Sequence, residues 1–417
     1  MPFFIFVVCL VTVNVWMTRR ILRAGDRFDH KGLHITMVWI APFIGALLTH
    51  GHVRPYERLN VTAPMASADG GDVEPPPQEL SVPGTPTFPL APNMEVVNGF
   101  PIMYWSAVAD WLATIGDPDI RRQARLHGQR AWLMHMRDAL GPHFSLHESE
   151  NAFVLSSLES TVVAATAKYV TSARRKVASA LGKLAEFAAD EKSIMLVLDD
   201  EEWYYHYVAV YYPSEGEFAF SGGMFINAGC PHFVVRRADL ASIEPVIVHE
   251  LAHSAVSHLR LPLWLDEGIA VNTEHKIAGA GRGLYTPHEI RAKHLRFWGE
   301  TEIQQFWSGE AFRRTDDGNM LSYDLARIMV EHMAKSWEPF ERFVMNARRE
   351  DAGAASAAEH LDVDLGAYVC ALFDKAPAKT WSSRDRTSEL SAVAEADSAA
   401  ASSPPRPSGG PTVLWGT

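Results

Sequence analysis

His249 and His253 stand four residues apart with Glu250 between them, in Val248-His249-Glu250-Leu251-Ala252-His253; Asp266 and Glu267 follow in Leu263-Trp264-Leu265-Asp266-Glu267-Gly268-Ile269-Ala270. Residues four apart on a helix share a face, so both imidazoles can aim a nitrogen at one ion. Glu250 is rotated by about 100° from His249, beside that ion without having to ligate it. The pattern reads ligand, base, ligand. A catalytic zinc takes three protein ligands plus a water, and a carboxylate is a regular third choice beside two histidines. Glu267, past the helix-ending Pro262, can return on a second helix to supply it. Two histidines and a glutamate at these spacings also arise on ordinary helices, so the Asp-Glu-Gly segment is what lifts the pattern above chance.

The elements that must position these groups are legible around them. The motif helix starts near Asp239 or Ser242, both suitable N-caps, with Pro245 in or near the first turn and Ile243, Val246, Ile247, Leu251, Ala255 and Val256 able to face the core. Leu261-Pro262 ends it. Upstream, Ala152-Phe153-Val154-Leu155 and Ser193 to Leu198 read as strands, with a helix from about Leu158 to Ala189 between them. Trp203 to Tyr212 and Glu217 to Ala228 suit further strands around Pro213-Ser214-Glu215-Gly216, which together make a small sheet in front of the motif helix. Ile102 to Leu140 suits two helices broken at Gly116-Asp117-Pro118. Downstream, Pro287 to Trp298, Thr301 to Trp307, Leu321 to Ala334, Glu338 to Arg349 and Leu365 to Phe373 read as helices.

With its Trp-Leu-Asp-Glu-Gly segment after the His-Glu-x-x-His helix, the chain resembles the gluzincin metallopeptidases, and by its spacing the peptidase MA-like families. The resemblance covers roughly Phe153 to Met333. It implies a gluzincin-like domain with a mixed sheet on the motif helix, His249, His253 and Glu267 as zinc ligands, and Glu250 as general base towards a zinc-activated water. Tyr323, in Leu321-Ser322-Tyr323-Asp324, stands where related enzymes carry an oxyanion donor. A tyrosine packed at a helix start is the plain alternative, and Tyr285 competes for the role. Ser221-Gly222-Gly223-Met224-Phe225 falls where the family has its substrate-binding edge strand, and Phe225 stands where aminopeptidases carry an acid, which favours an endopeptidase; a glycine-bearing bend at a sheet edge is the plain alternative. Asp266 reads either as an acid orienting a ligand histidine or as a solvated neighbour; His206, His232 and His258 read as surface or core residues. The expected function is therefore a zinc metallopeptidase acting on peptide or protein. A scaffold that kept the fold without catalysis, or a zinc hydrolase of another amide or ester, stands as the alternative.

The rest of the chain sets the domain plan. Its 417 residues exceed one typical domain, and their net charge of −12, with no basic patch, excludes nucleic acid as an expected partner. Pro2 to Met17 and Leu33 to Thr49 are apolar runs flanking Arg19, Arg20, Arg23, Arg27 and Lys31. They predict a transmembrane helical hairpin over 1–50 with its basic loop in the cytoplasm. The remainder of an α+β chain then lies on the outer side, periplasmic at a bacterial inner membrane. A Pro/Gly-rich linker is expected over 51–98, a helical segment over 99–150, the catalytic domain over 151–375 and a disordered tail over 376–417. Cys9, Cys230 and Cys370 form no Cys-x-x-Cys pair, and a bridge between Cys230 and Cys370 is left open.

Overall fold

Strand Ser193–Leu198 is buried almost throughout, and its side chains divide between two cores: Ile194, Leu196 and Leu198 on one face, Met195 and Val197 on the other. That alternation follows from the two-residue period of a strand and places it in the middle of the main sheet, between the two cores. In the computed structural model, residues 74–187, 192–211, 222–279 and 285–383 are described. The chain divides into two units, Met1–Pro75 and Pro76–Thr417, and every element below belongs to the second.

In chain order these are β1 (Glu79–Leu80), β2 (Phe88–Pro89), β3 (Met94–Val97), β4 (Phe100–Met103), α1 (Trp105–Ala113), α2 (Pro118–Leu140), β5 (Ser145–Glu148), β6 (Ala152–Ser156) and α3 (Ser160–Leu181). Next come β7 (Ser193–Leu198), α4 (Glu201–Tyr211), β8 (Gly223–Ile226), β9 (His232–Arg236), α5 (Leu240–Val256) and α6 (Leu263–Ala278). Helices α7 (Pro287–Phe297), α8 (Glu300–Ser308), α9 (Asp317–Met333), α10 (Trp337–Asn346), α11 (Ala354–Leu361) and α12 (Leu365–Leu372) follow among the described residues. The main sheet has the order β5-β6-β7-β9-β8. Strands β6, β7 and β9 are parallel, while β5 and β8 run antiparallel at the two edges. One face packs on α3, α5 and α6, and through them on the C-terminal helices. The other is covered by α1, α2, α4 and the two N-terminal hairpins.

Several expectations need correction. Among the described residues no helix is long and apolar enough to cross a membrane. The longest, α2 and α3, carry charged residues such as Arg121, Arg125, Arg174 and Arg175 along their lengths, as half-buried helices do. The hairpin expected over 1–50 lies outside the described residues, and so does the tail from 384 onward. The fold is accordingly a mixed α/β arrangement of helices and small sheets, and the transmembrane anchor and periplasmic placement are withdrawn.

The second half of the expected linker is folded. Leu80, Val82, Phe88 and Leu90 are buried against α1 and α2, and Trp111 Nε1–H donates to the carbonyl of Pro86 at 2.8 Å. Prolines here punctuate two short hairpins whose apolar residues are too sparse to show a period. The strand expected over Trp203 to Tyr212 for its Trp, Tyr and Val is replaced by helix α4, Glu201–Tyr211. Tyr204, Tyr207 and Val208 are buried at helical spacing, and Asp200 accepts from the amide of Trp203 at 2.9 Å at the start. Burial at one face thus overrides the β preference of the side chains. Of the strand expected over 217–228, Gly223–Ile226 is present. Cys230 and Cys370 are both buried and neither is in a disulfide, so the bridge left open is not formed.

Candidate metal centre

Helix α5 begins at Asp239, whose carboxylate accepts from the amide of Ser242 at 3.0 Å. Pro245 falls inside the helix, deeper than the first turn expected for it. An internal proline costs roughly 3 kcal/mol of helix, which burial of Ile243, Ile247, Val248, Leu251, Ala252, Ala255 and Val256 offsets. After a short turn, Arg260 takes a left-handed conformation (φ 50°) and Pro262 leads into α6. The two helices pack directly on each other, α5 carrying the histidines and α6 carrying Glu267.

Their side chains converge. Nε2 of His249 lies 3.2 Å from Oε2 of Glu267, and Nε2 of His253 lies 3.4 Å from the same oxygen. One ligand atom from each of the three residues falls within 4.8 Å of the other two, a group that could hold a metal ion. At metal–ligand distances of about 2.0–2.1 Å, two ligand atoms on a tetrahedral edge stand about 3.3–3.5 Å apart. The two distances to Glu267 match such an edge, and two imidazoles with one carboxylate are a donor set suited to a small divalent cation.

The reverse side of each imidazole is also held. Nδ1–H of His253 donates to Asp266 at 2.9 Å, and Nδ1–H of His249 donates to Glu274 at 3.0 Å. Both Nε2 atoms are thereby turned towards Glu267. Asp266 thus holds the orienting position, one of the two readings its sequence left open. Glu274 is not evident from the motif, although it lies on α6 two helical turns beyond Glu267 and so on the same face.

Electrostatically the cluster is built to hold positive charge. Burial by itself favours neutral His249, but the hydrogen bonds to Glu267 and Glu274 outweigh it and lift its pKa to about 9. His253 is opposed by burial too, yet Asp266 and Glu267 raise it well above the ordinary range. For Glu267, burial disfavours the carboxylate, but His253 and His249 hold it well below its usual value. Glu250 is buried, 5 % exposed, and burial is what raises its pKa, against the opposing pull of the two histidines.

Glu250 also touches the sheet. The backbone amide of Phe225 hydrogen-bonds its carboxylate, and a Cβ placed on Gly223 would stand 3.1 Å from its Oε1. The edge strand β8 therefore runs directly over the motif helix. Gly223 is needed for that approach, since the same Cβ would meet Val246 at 2.5 Å. A cavity of about 300 Å³ opens beside this crossing, with Gly222, Val235, Ile243 and Val246 in its lining.

Tyr323 on α9 joins the site from the other side. Burial first, then the nearby carboxylates of Glu267 and Glu250, push its hydroxyl well above the ordinary tyrosine range, so it remains a proton donor. Gly268 explains how α9 comes so close: a Cβ there would lie 2.6 Å from the carbonyl oxygen of Ala326 and 2.6 Å from Val330. Tyr285, the competing tyrosine, is exposed beneath Lys293. His206 is exposed, His232 is buried against Tyr207, and His258 pairs with Glu186 at 3.6 Å, so these three sit outside the cluster. Against family models, curated proteins and solved structures, the chain finds no match.

Proposed function

We propose that the chain is a zinc-dependent hydrolase of peptide bonds, an endopeptidase of gluzincin type, acting on a peptide or protein substrate. The observation that carries this reading is the convergence of His249 Nε2 and His253 Nε2 on one oxygen of Glu267, at 3.2 and 3.4 Å, with buried Glu250 on the same helix. Zinc held there would supply Lewis-acid polarisation of a carbonyl and a lowered pKa for a water. Nitrogen ligands with one carboxylate favour zinc over calcium or magnesium, which take mostly oxygen.

Each residue then has a task. Glu250, its pKa raised by burial, takes a proton from the attacking water and returns it to the leaving amine. Tyr323, held protonated, donates to the oxygen on which negative charge develops. Strand β8, at the edge of the described sheet and lying over Glu250, pairs with an extended substrate backbone and lays its scissile bond beside the base. Phe225 leaves that strand without an acid to bind a substrate's amino terminus, which favours internal cleavage.

The test uses the purified full chain and Glu250→Gln, analysed for metal and assayed on a peptide library. One zinc per chain in both proteins, with cleavage by the wild type and none by the variant, is the expected result. Zinc without cleavage of any peptide would leave a scaffold or a hydrolase of another bond, and no bound metal in either protein would overturn the reading.

A further inference from the structure

Helix α6 brings more to the cluster than Glu267. Asp266, beside it in sequence, accepts from Nδ1–H of His253 at 2.9 Å, and Glu274, two turns on, accepts from Nδ1–H of His249 at 3.0 Å. Glu274 is partly open to water, its side chain 22 % exposed, yet it reaches across to the neighbouring helix instead of into solvent. A side chain of that length and exposure loses rotamer freedom in doing so, which a contact of no consequence would not offset.

We infer that Glu274 is a positioning residue for the metal centre: by accepting from Nδ1–H of His249 it fixes the ring and the tautomer that leave Nε2 free to ligate. The inference rests on the reading of His249, His253 and Glu267 as metal ligands. A neutral imidazole carries its proton on one nitrogen, and the hydrogen bond made by that nitrogen decides which one remains a ligand. Glu274 cannot join Nε2 of His249 around the same ion while holding Nδ1, because the two nitrogens face away from each other across the ring. Its oxygen therefore acts through the histidine. Asp266 does the same for His253, so a single helix delivers the third ligand and both acids that aim the other two.

A contact that merely ties α5 to α6 would contribute to folding and leave coordination alone, and the two roles separate by experiment. The full chain is compared with Glu274→Gln, Glu274→Asp and Glu274→Ala. Zinc affinity is measured by competition with a chromophoric chelator, the visible spectrum is recorded with Co²⁺ in place of Zn²⁺, and urea midpoints are taken without metal. Glutamine keeps the reach and an oxygen that accepts from Nδ1–H, whereas aspartate keeps the charge but falls one methylene short. We expect Glu274→Ala and Glu274→Asp to bind zinc about 10- to 100-fold more weakly, with altered Co²⁺ bands, and Glu274→Gln to stay within a few-fold of wild type. Wild-type affinity and spectrum in Glu274→Ala would overturn the inference, as would the reverse order, with aspartate restoring binding and glutamine not. Should the alanine variant fail to fold, the order of the other two decides. A wild-type chain that binds no zinc would instead remove the metal-centre reading on which all of this stands.

Discussion

Tyr323 is the residue whose role is most open to direct challenge, because its hydroxyl comes from a third helix and meets the candidate site through a hydrogen bond to Glu267. Burial and the carboxylates of Glu267 and Glu250 keep it protonated, and under the proposed function a protonated phenol beside Glu267 is the donor that would meet charge developing on a substrate oxygen. Tyr323→Phe removes that one hydrogen bond and keeps the ring packed edge-on against Phe312. We expect kcat on a cleaved peptide to fall about 10²- to 10³-fold, with KM and bound zinc little changed. Steady-state kinetics beside metal analysis checks this, and an unchanged kcat would return Tyr323 to a packing role. His249, Glu250, His253 and Glu267 are legible in the sequence because helical spacing alone brings the first three together and a short turn returns the fourth. Glu274 is not, because an acid two turns along a helix belongs to no motif until the histidine opposite it is in place. Asp266 falls between these cases: its position beside Glu267 is visible, but the ring it holds is not.

At the scale of elements, the crossing of α6 and α9 decides whether Tyr323 reaches the site. Gly268 is the contact point, with no room for a Cβ between α6 and the backbone of Ala326. Asn272 ties the same crossing, its side-chain amide donating to the carbonyl of Arg327 at 2.9 Å. Gly268→Val should force the helices apart, cost about 1–3 kcal/mol as overpacking, and lower kcat as Tyr323 withdraws. Urea unfolding and peptide hydrolysis report the two effects, with Gly116→Ala as a control where an added Cβ meets nothing within 4 Å. Normal stability and normal activity in Gly268→Val would show that the crossing tolerates separation. The glycine of the Asp-Glu-Gly segment therefore has a packing reason that the sequence shows only as an identity. Elements were readable where one period dominated: β7 as a buried apolar run, and α2 after Asp117-Pro118 at its start. They are hidden where side-chain type and burial disagree. Helix α4 is rich in strand-forming aromatics yet buries one helical face, and the hairpins over 79–103 are too short to show alternation.

Across the whole molecule, the sheet joins two cores, and a buried histidine in the one away from the metal centre makes its stability depend on pH. His232 begins β9, 2 % exposed, between Tyr207 and Trp132. Its Nδ1–H donates to the carbonyl of Cys230 at 2.7 Å, so Nε2 is the acceptor for the hydroxyl of Tyr207, also at 2.7 Å. Both nitrogens are thus satisfied in the neutral ring, and burial lowers its pKa to about 4. In the unfolded chain the same group titrates near 6.5, so between these values the unfolded state binds a proton that the native state does not. The stability contributed by the neutral His232 ring is therefore full above pH 6.5 and is lost as pH drops towards 4, by on the order of 3 kcal/mol in all. His232→Gln keeps a donor and an acceptor but cannot titrate. Urea midpoints of both proteins from pH 7.5 to 4, with chelator present throughout, should converge as the pH falls, because the groups of the metal centre titrate alike in each and cancel in the difference. Parallel curves would mean that His232 is protonated in the native core and that Tyr207 has turned its hydroxyl away. The helices of the candidate metal centre pack on one face of the sheet, and His232 lies in the core on the other. A histidine variant that moves the pH profile while leaving zinc affinity untouched would therefore show that the fold's acid sensitivity and its candidate chemistry reside in different layers.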